Sequence, residues 1–345
     1  MRFLICHPGP QFSVADVHNG WCEALRELGQ QVVEFNTAER LTFYDSAMLE
    51  VGRRDDGAVG LRKAVDHEQA IELALNGLYA TLYKTRPDVL LSISGFFLHP
   101  EMLDHIRRQG TRVVIVHTES PYEDDRQLKL APHADLNLLN DPQNIQRFAD
   151  VAPALYVPHA YRPAIHHPGP AVPDLVCDLG FVGTGFPSRI QFLEQMNLDG
   201  IDVLLAGNWQ QLDESSPLRK YVGHDIEECL DNTQTADVYR SARVGINMYR
   251  REAEAAHLTA GLAMGPREVE MAACGAFFLR DPRPEGDQVL GMLPAFTGPD
   301  DAAEQLRWHL DHPEVRTRLA GQAREAIADR TFANHAAALL RLLDR

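Results

Sequence analysis

The absences in this sequence narrow its reading first. Its five cysteines (Cys6, Cys22, Cys177, Cys229 and Cys274) are odd in number, scattered, and include no C-x-x-C pair. They therefore point to neither a disulfide framework nor a cysteine zinc site, and a reducing cytoplasm is the expected location. No run of about 18 apolar residues occurs. The opening apolar stretch, Phe3 to Cys6, stops at His7-Pro8 and is too short for a signal-peptide core. The chain is read as soluble, without a membrane partner. Basic residues are also scarce: 33 Lys+Arg against 49 Asp+Glu leave a net charge of −16. That balance disfavours nucleic acid unless basic side chains gather on one face. Finally, neither H-E-x-x-H nor G-x-G-x-x-G is present, and the pair His166-His167 has side chains that diverge in an extended segment, so no metal site and no dinucleotide fingerprint is compelled.

What remains is a chain of 345 residues, 45% hydrophobic and 24% charged, long enough for two cores. The N-terminal half alternates short apolar runs with helical periodicity, as a parallel sheet covered by helices requires. Arg2–Cys6 reads as a strand. A helix with Val14, Val17, Trp21, Leu25 and Leu28 on one face follows, with Ser13 and Asp16 suited to a capping box and Gly29 to the stop. Gln31–Phe35 is the second strand. Residues 39–84 read as mostly helical, and strands follow at Val89–Ser94, Arg112–His117, Leu136–Leu139 and Leu155–Val157. Prolines at 158, 163, 168, 170 and 173 mark a linker.

The pattern then restarts with strands at Asp178–Val182, Val203–Ala206, Val244–Met248 and Ala276–Leu279 and helices at Ser188–Met196 and Pro266–Cys274; residues 301–345 are almost wholly helical. The expected domains are 1–157, a hinge at 158–173, 174–330, and a terminal helix, 331–345, that braces the first domain. Two such sheets facing across a cleft would bind ligands at their carboxyl edges.

The segment Gly265-Pro-Arg-Glu-Val-Glu-Met-Ala-Ala-Cys-Gly275 is a helix with marked ends. Pro266 suits its first position and Gly275 its stop, which would leave free N–H groups and the positive dipole end available to a diphosphate. Arg267 could add a bidentate phosphate contact, and Glu270 could accept from ribose hydroxyls. Glu268 could do the same or sit in solvent. The alternative is a surface helix whose early carboxylates merely complement the dipole.

This segment, with Tyr156-Val-Pro-His-Ala-Tyr-Arg-Pro163 and Asp178-Leu-Gly-Phe-Val-Gly-Thr-Gly185, resembles the CgeB-type (spore-maturation-protein-like) glycosyltransferases. The resemblance implies an α/β GT-B fold of two Rossmann-like parallel-sheet domains and a nucleotide-diphosphate sugar as co-substrate. It places Gly183, Thr184 and Gly185, with Arg189 close behind, beside the donor diphosphate. It also places Asn208 and Trp209 (by stacking, unless the indole is core) and Asn247 at the nucleotide. His159, in the linker motif, would touch substrate or serve as a hinge hydrogen bond. Retaining relatives often carry a second glutamate eight residues before the position of Glu270. Leu262 stands there, so the motif leaves stereochemistry open.

The first domain would supply the acceptor site and, for an inverting reaction, a general base. After the strand Arg112–His117 comes Thr118-Glu-Ser-Pro-Tyr-Glu-Asp-Asp125, which makes Glu119 and Asp124, then His117, the catalytic candidates; Asp124 or Asp125 could equally cap the next helix. His18 near the first helix start reads as structural or solvated. Glu123-Asp124-Asp125 could attract Mg²⁺, but no tightly held metal is expected. The expected function is sugar transfer (hexosyl or pentosyl) to a hydroxyl of a protein or small carbohydrate, with the domains closing over the donor. The alternatives are transfer to hydroxymethylated DNA bases, for which Arg53, Arg54, Arg62 and Lys63 are the nearest thing to a basic stripe, and a non-catalytic nucleotide-sugar binder.

Overall fold

The structure, a computed structural model, describes residues 1–7, 15–53, 57–253 and 261–344. Pro8, Ser13, Val14 and Arg54, all invoked above, lie outside the described residues. The chain divides into two compact units, Met1–Val157 with Ala336–Arg345, and Pro158–His335.

In the first unit, β1 (Arg2–Cys6), β2 (Gln31–Phe35), β5 (Val89–Ile93), β6 (Arg112–His117), β7 (Leu136–Leu139) and β8 (Ala154–Tyr156) form one sheet in the order β2-β1-β5-β6-β7-β8. All its neighbours are parallel. The crossovers include α1 (Ala15–Glu27), α3 (His67–Thr85) and α4 (Pro100–Arg108). Every residue of β5 is buried, as expected of a strand covered on both faces. Leu4, Leu90 and Ile115 on neighbouring strands meet Leu78 of α3 and Leu103 and Ile106 of α4 in the core. The order reverses between β1 and β5, so the loops after those strands flank a switch point.

Residues 39–84 depart from the expectation of mostly helix. Between α2 (Thr37–Ala47) and α3 the chain makes an antiparallel hairpin, β3 (Leu49–Arg53) with β4 (Val59–Lys63). The reason is the period-two alternation Leu49, Val51, Arg53 and Val59, Leu61, Lys63. The register places these six on one hairpin face, and Glu50 and Arg62 on the other. Arg62 pairs with Glu50 at 2.5 Å and Lys63 with Asp45 at 3.7 Å. The supposed basic stripe is therefore split between two faces and partly neutralised.

In the second unit β9 (Cys177–Val182), β10 (Val203–Ala206), β11 (Ala242–Asn247) and β12 (Phe278–Arg280) form a parallel sheet in the order β10-β9-β11-β12. Around it lie α7 (Pro187–Gln195), α8 (Asn232–Ser241), α9 (Pro266–Ala273), α10 (Pro284–Val289), α11 (Pro299–Leu310) and α12 (Pro313–Ala326). The remaining two helices of the first unit are short, α5 (Asp124–Gln127) and α6 (Ile145–Ala149); α13 (Phe332–Leu343) ends the fold. From Ala336 onward it belongs to the first unit, where Arg112 donates to the carbonyl of Leu343. Among the described residues no helix is long and apolar enough to cross a membrane.

Helix starts follow local chemistry in both units. Asp66 and Gln69 form a reciprocal capping box on α3, and Asp231 and Gln234 form another on α8. Each cap satisfies an N–H group the helix leaves open, a contribution of about 1 kcal/mol. Asp66→Ala and Asp231→Ala should each lower the thermal midpoint by a few degrees, and the double variant should lose roughly the sum, because the two caps share no partner. Calorimetry of the four proteins checks this; a loss in the double variant well beyond the sum would contradict it.

Candidate functional site

The best-defined constellation lies in the second unit at the carboxyl ends of β9, β10 and β11. Immediately after β9, the amide of Gly183 donates to the carbonyl of Ala206 at 2.9 Å. Gly207, after β10, has φ +105°, and a Cβ there would lie 2.6 Å from the Gly183 oxygen. Two glycines are thus what allow the two loops to touch backbone to backbone. A Cβ on Gly183 would lie 3.2 Å from Nε of Arg267, so the guanidinium rests against this loop.

Three residues expected at the donor instead support the loop. A Cβ on Gly185 would run into the ring of Trp209. That indole is wholly buried, edge-on to Phe181 at 5.7 Å, and offers no face for stacking on a base. Arg189 is buried too, donating to the carbonyls of Thr184 at 2.9 Å and Met248 at 2.7 Å. It ties the end of β11 to the loop after β9. Asn208 spends its amide on the Glu227 carbonyl at 3.0 Å and its oxygen on the Gln210 amide at 3.1 Å. Asn247 ends β11 buried, its Nδ2 without a hydrogen-bond partner.

The N-terminus of α9 is more occupied than expected. Pro266 has no N–H, the Gly265 amide donates to Glu268 at 2.8 Å, and the Met264 amide donates to Glu285 at 2.7 Å. Glu268, expected at ribose or in solvent, is at neither. It is fully buried, caps its own helix, and accepts from the hydroxyl of Tyr249. Burial raises its pKa from the usual 4.5 to about 7, against the opposing pull of Tyr249, the Gly265 amide, Arg280 and Arg283. Arg283 in turn lies 3.8 Å over the Tyr249 ring.

What α9 does present is Arg267. It is half-buried, and among the described residues no carboxylate or carbonyl is hydrogen-bonded to it. Glu270, one turn on, is mostly buried, with Tyr239 donating to it at 3.5 Å; burial raises its pKa and the charge of Arg267 works against that rise. The start of α7, by contrast, is closed by Glu252, which accepts from the Ser188 amide at 2.8 Å and hydroxyl at 3.2 Å. Asp281, just past β12, binds the Tyr249 amide at 3.1 Å and Arg251 through both carboxylate oxygens at 2.8 Å. Tyr249, Glu252 and Asp281 were passed over as site residues. Position is the signal for them: Asp281 directly follows β12, and Tyr249 and Glu252 lie two and five residues past the end of β11.

His159, also in the second unit, is half-buried. Burial, with help from Arg330, His335 and Arg283 and against Glu285, lowers its pKa to about 4 and keeps it neutral.

In the first unit the loop after β6 distributes its candidates unequally. His117 is fully buried, hydrogen-bonded through Nε2 to Asn137 at 2.8 Å, and burial lowers its pKa to about 4. Asp124 is fully buried, accepting from Gln127 at 2.9 Å and Asn144 at 2.7 Å, and burial raises its pKa. Both are fastened into the unit by these bonds and withdrawn from solvent, unlike the open catalytic groups the sequence suggested. Asp125 pairs with Arg147 at 2.6 Å, and the N-cap of α5 is Glu123, so neither aspartate caps that helix. Glu119 alone of the three candidates reaches the surface. Nearby, past the carboxyl end of β5, a cavity of about 370 Å³ is lined by His67, Ile71, Phe96, Phe97, His99 and Arg126, with Arg126 4.0 Å over the Phe96 ring.

A family model described as glycosyl transferase-like matches residues 189–341. Among solved structures, sucrose-phosphate synthase from Thermosynechococcus elongatus is similar at TM-score 0.66, 14% identical over 99% of this chain and 98% of that one. A trehalose-6-phosphate protein from E. coli, bound with UDP-2-fluoro glucose, matches at 0.64 and 14%, over 100% and 99%. An alpha-glucosyltransferase in complex with UDP and a 13-mer DNA containing a HMU base matches at 0.64 and 11%, over 99% and 98%. No curated protein matches the sequence. Likeness at such identities establishes the fold: α/β, two parallel-sheet domains of the GT-B type.

The buried Glu268 makes a checkable demand on pH. Its folded pKa, about 7, lies above the ordinary 4.5, so between these values the folded chain holds a proton that the unfolded chain releases. Stability therefore falls as pH rises through that window, by roughly 3 kcal/mol. Glu268→Gln keeps an acceptor for Tyr249 and Gly265 without the ionisation. Its thermal midpoint should gain on the wild type as pH rises from 5 to about 7 and level off above that; parallel profiles across the window would contradict the assignment.

Proposed function

We propose that this chain transfers a glycosyl group from a nucleotide-diphosphate sugar to an acceptor hydroxyl. The observation that carries the reading is Arg267: a cation with no hydrogen-bonded partner among the described residues, seated on the glycine backbone at Gly183, on the first turn of a helix whose dipole adds positive potential. The glycosyl transferase-like match, which includes Arg189, Arg267 and Glu270, supports it, as does the shared fold. In this reading the diphosphate lies along Gly183–Gly185 against Arg267. The nucleoside sits toward Glu270, whose carboxylate accepts from ribose.

As the glycosidic bond breaks, negative charge gathers on the departing β-phosphate, and Arg267 with the dipole of α9 stabilises it where it forms. No tightly held metal takes part in this scheme. Glu119 receives the proton of the attacking hydroxyl, being the half-buried carboxylate at the carboxyl edge of the first sheet. The acceptor is a protein or small carbohydrate; the aromatic cavity of Phe96 and Phe97 suits a sugar ring or an aromatic side chain. The divided charges of the β3–β4 hairpin weigh against a DNA acceptor. The CgeB-type assignment is the finer form of this proposal.

Thermal-shift measurements against UDP-, GDP-, ADP- and dTDP-sugars provide the test. One nucleotide class should raise the midpoint, and Arg267→Ala should weaken that ligand roughly 10- to 100-fold, the cost of a charge-assisted contact. Glu119→Ala should keep binding while slowing release of the nucleotide by about 100-fold or more. No response to any nucleotide sugar, or an unchanged response in Arg267→Ala, would overturn the reading.

A further inference from the structure

The first unit holds a second cluster of chemistry-bearing side chains that the proposed reaction does not use. His18 and Cys22, four residues apart on α1, lie on one helix face that looks onto β2. Cys22 Sγ is 3.6 Å from His18 Nε2, and the same nitrogen is 3.8 Å from Oε2 of Glu34 on β2. All three donor atoms lie within 4.8 Å of one another. From this geometry we infer that His18, Cys22 and Glu34 form a binding site for a single divalent transition-metal ion of the zinc class.

The distances are those a tetrahedral ion would require. With Zn–N and Zn–O near 2.0 Å and Zn–S near 2.3 Å, adjacent ligand atoms stand roughly 3.3 to 3.6 Å apart. The two separations from His18 Nε2, 3.6 and 3.8 Å, need to close by only a few tenths of an ångström, and the third, from Cys22 Sγ to Glu34, starts within 4.8 Å. Nitrogen, thiolate and carboxylate together also select zinc-like ions over Mg²⁺ or Ca²⁺, which take oxygen ligands.

The surroundings orient each ligand. His18 Nδ1 faces the side-chain oxygen of Asn19 at 3.2 Å, which places the ring proton on Nδ1 and leaves the Nε2 lone pair directed at Cys22 and Glu34. Arg26 holds the other carboxylate oxygen of Glu34, so Oε2 is the one turned to the cluster. His18 and Cys22 are buried, whereas Glu34 is 38% exposed and opens the site to solvent on one side. On binding, the ion takes the imidazole nitrogen, the carboxylate oxygen and the thiolate, the thiol proton passes to solvent, and water fills the fourth position. The effect is to clamp the first turns of α1 to β2.

Cobalt(II), a spectroscopic substitute for zinc, tests this on the whole chain after chelator treatment. One equivalent should give the intense visible bands of a tetrahedral ion with a near-ultraviolet thiolate charge-transfer band, and an equimolar amount of Zn²⁺ should abolish both. Cys22→Ser should lose the charge-transfer band, and Glu34→Gln should weaken binding at least about 10-fold. Cys229→Ser, which removes the exposed thiol, should leave the spectrum unchanged. Weak octahedral absorption in the wild type, a charge-transfer band that survives in Cys22→Ser, or its loss in Cys229→Ser would overturn the inference. The wild-type spectrum decides even if Cys22→Ser fails to fold.

Discussion

The second unit is organised by how it fastens the first turn of α9. Glu268 is buried against the Tyr249 hydroxyl and its own helix's first amide, so the helix start is tied to the chain just beyond β11. Asp281 ties that same segment to the end of β12 through the Tyr249 amide. With the start of α9 held in this way, the neighbouring residue Arg267 lies against the glycine loop after β9. Keeping a carboxyl wholly out of water is costly. That cost is met by two hydrogen bonds and by the nearby Arg280 and Arg283.

A consequence is a division of labour among cations. Arg189 and Arg283 are buried and spent on carbonyls or an aromatic face, while Arg251 is spent on Asp281. Among the described residues Arg267 has no such partner, and it rests against the Gly183 loop. Helix α7 is closed by Glu252 and α9 by its own Glu268, so what α9 adds at the Gly183 loop is the side chain of Arg267. Backbone contact between Gly183 and Gly207 then fixes the floor on which such an anion would rest.

Much of this was legible in the sequence because it is local. Strand runs, proline at helix starts, and the marked ends of Gly265 to Gly275 each announce themselves within a dozen residues. The hairpin Leu49–Lys63 was missed since its alternation is short and sits between two true helices. At the site, residue type gave the chemistry but not the direction of the side chain. Glu268 and Glu270 are two apart on a helix, hence on different faces, and periodicity alone does not say which face meets the protein. Likewise Trp209, His117 and Asp124 have functional residue types but structural partners, visible only once Gly185, Asn137 and Asn144 are brought beside them. The His18–Cys22–Glu34 cluster was half visible, in the four-residue spacing on α1; its third member comes from the next strand.

The central claim is that Arg267 and the Gly183 loop recognise a diphosphate. It is tested most directly by titration calorimetry of the wild type and Arg267→Ala with the nucleoside diphosphate, the monophosphate and the free nucleoside of the preferred donor. The account predicts a gain in affinity from monophosphate to diphosphate in the wild type that collapses in Arg267→Ala, while binding of the free nucleoside is equal in the two proteins. A diphosphate increment that survives in Arg267→Ala would place the phosphates elsewhere and contradict it.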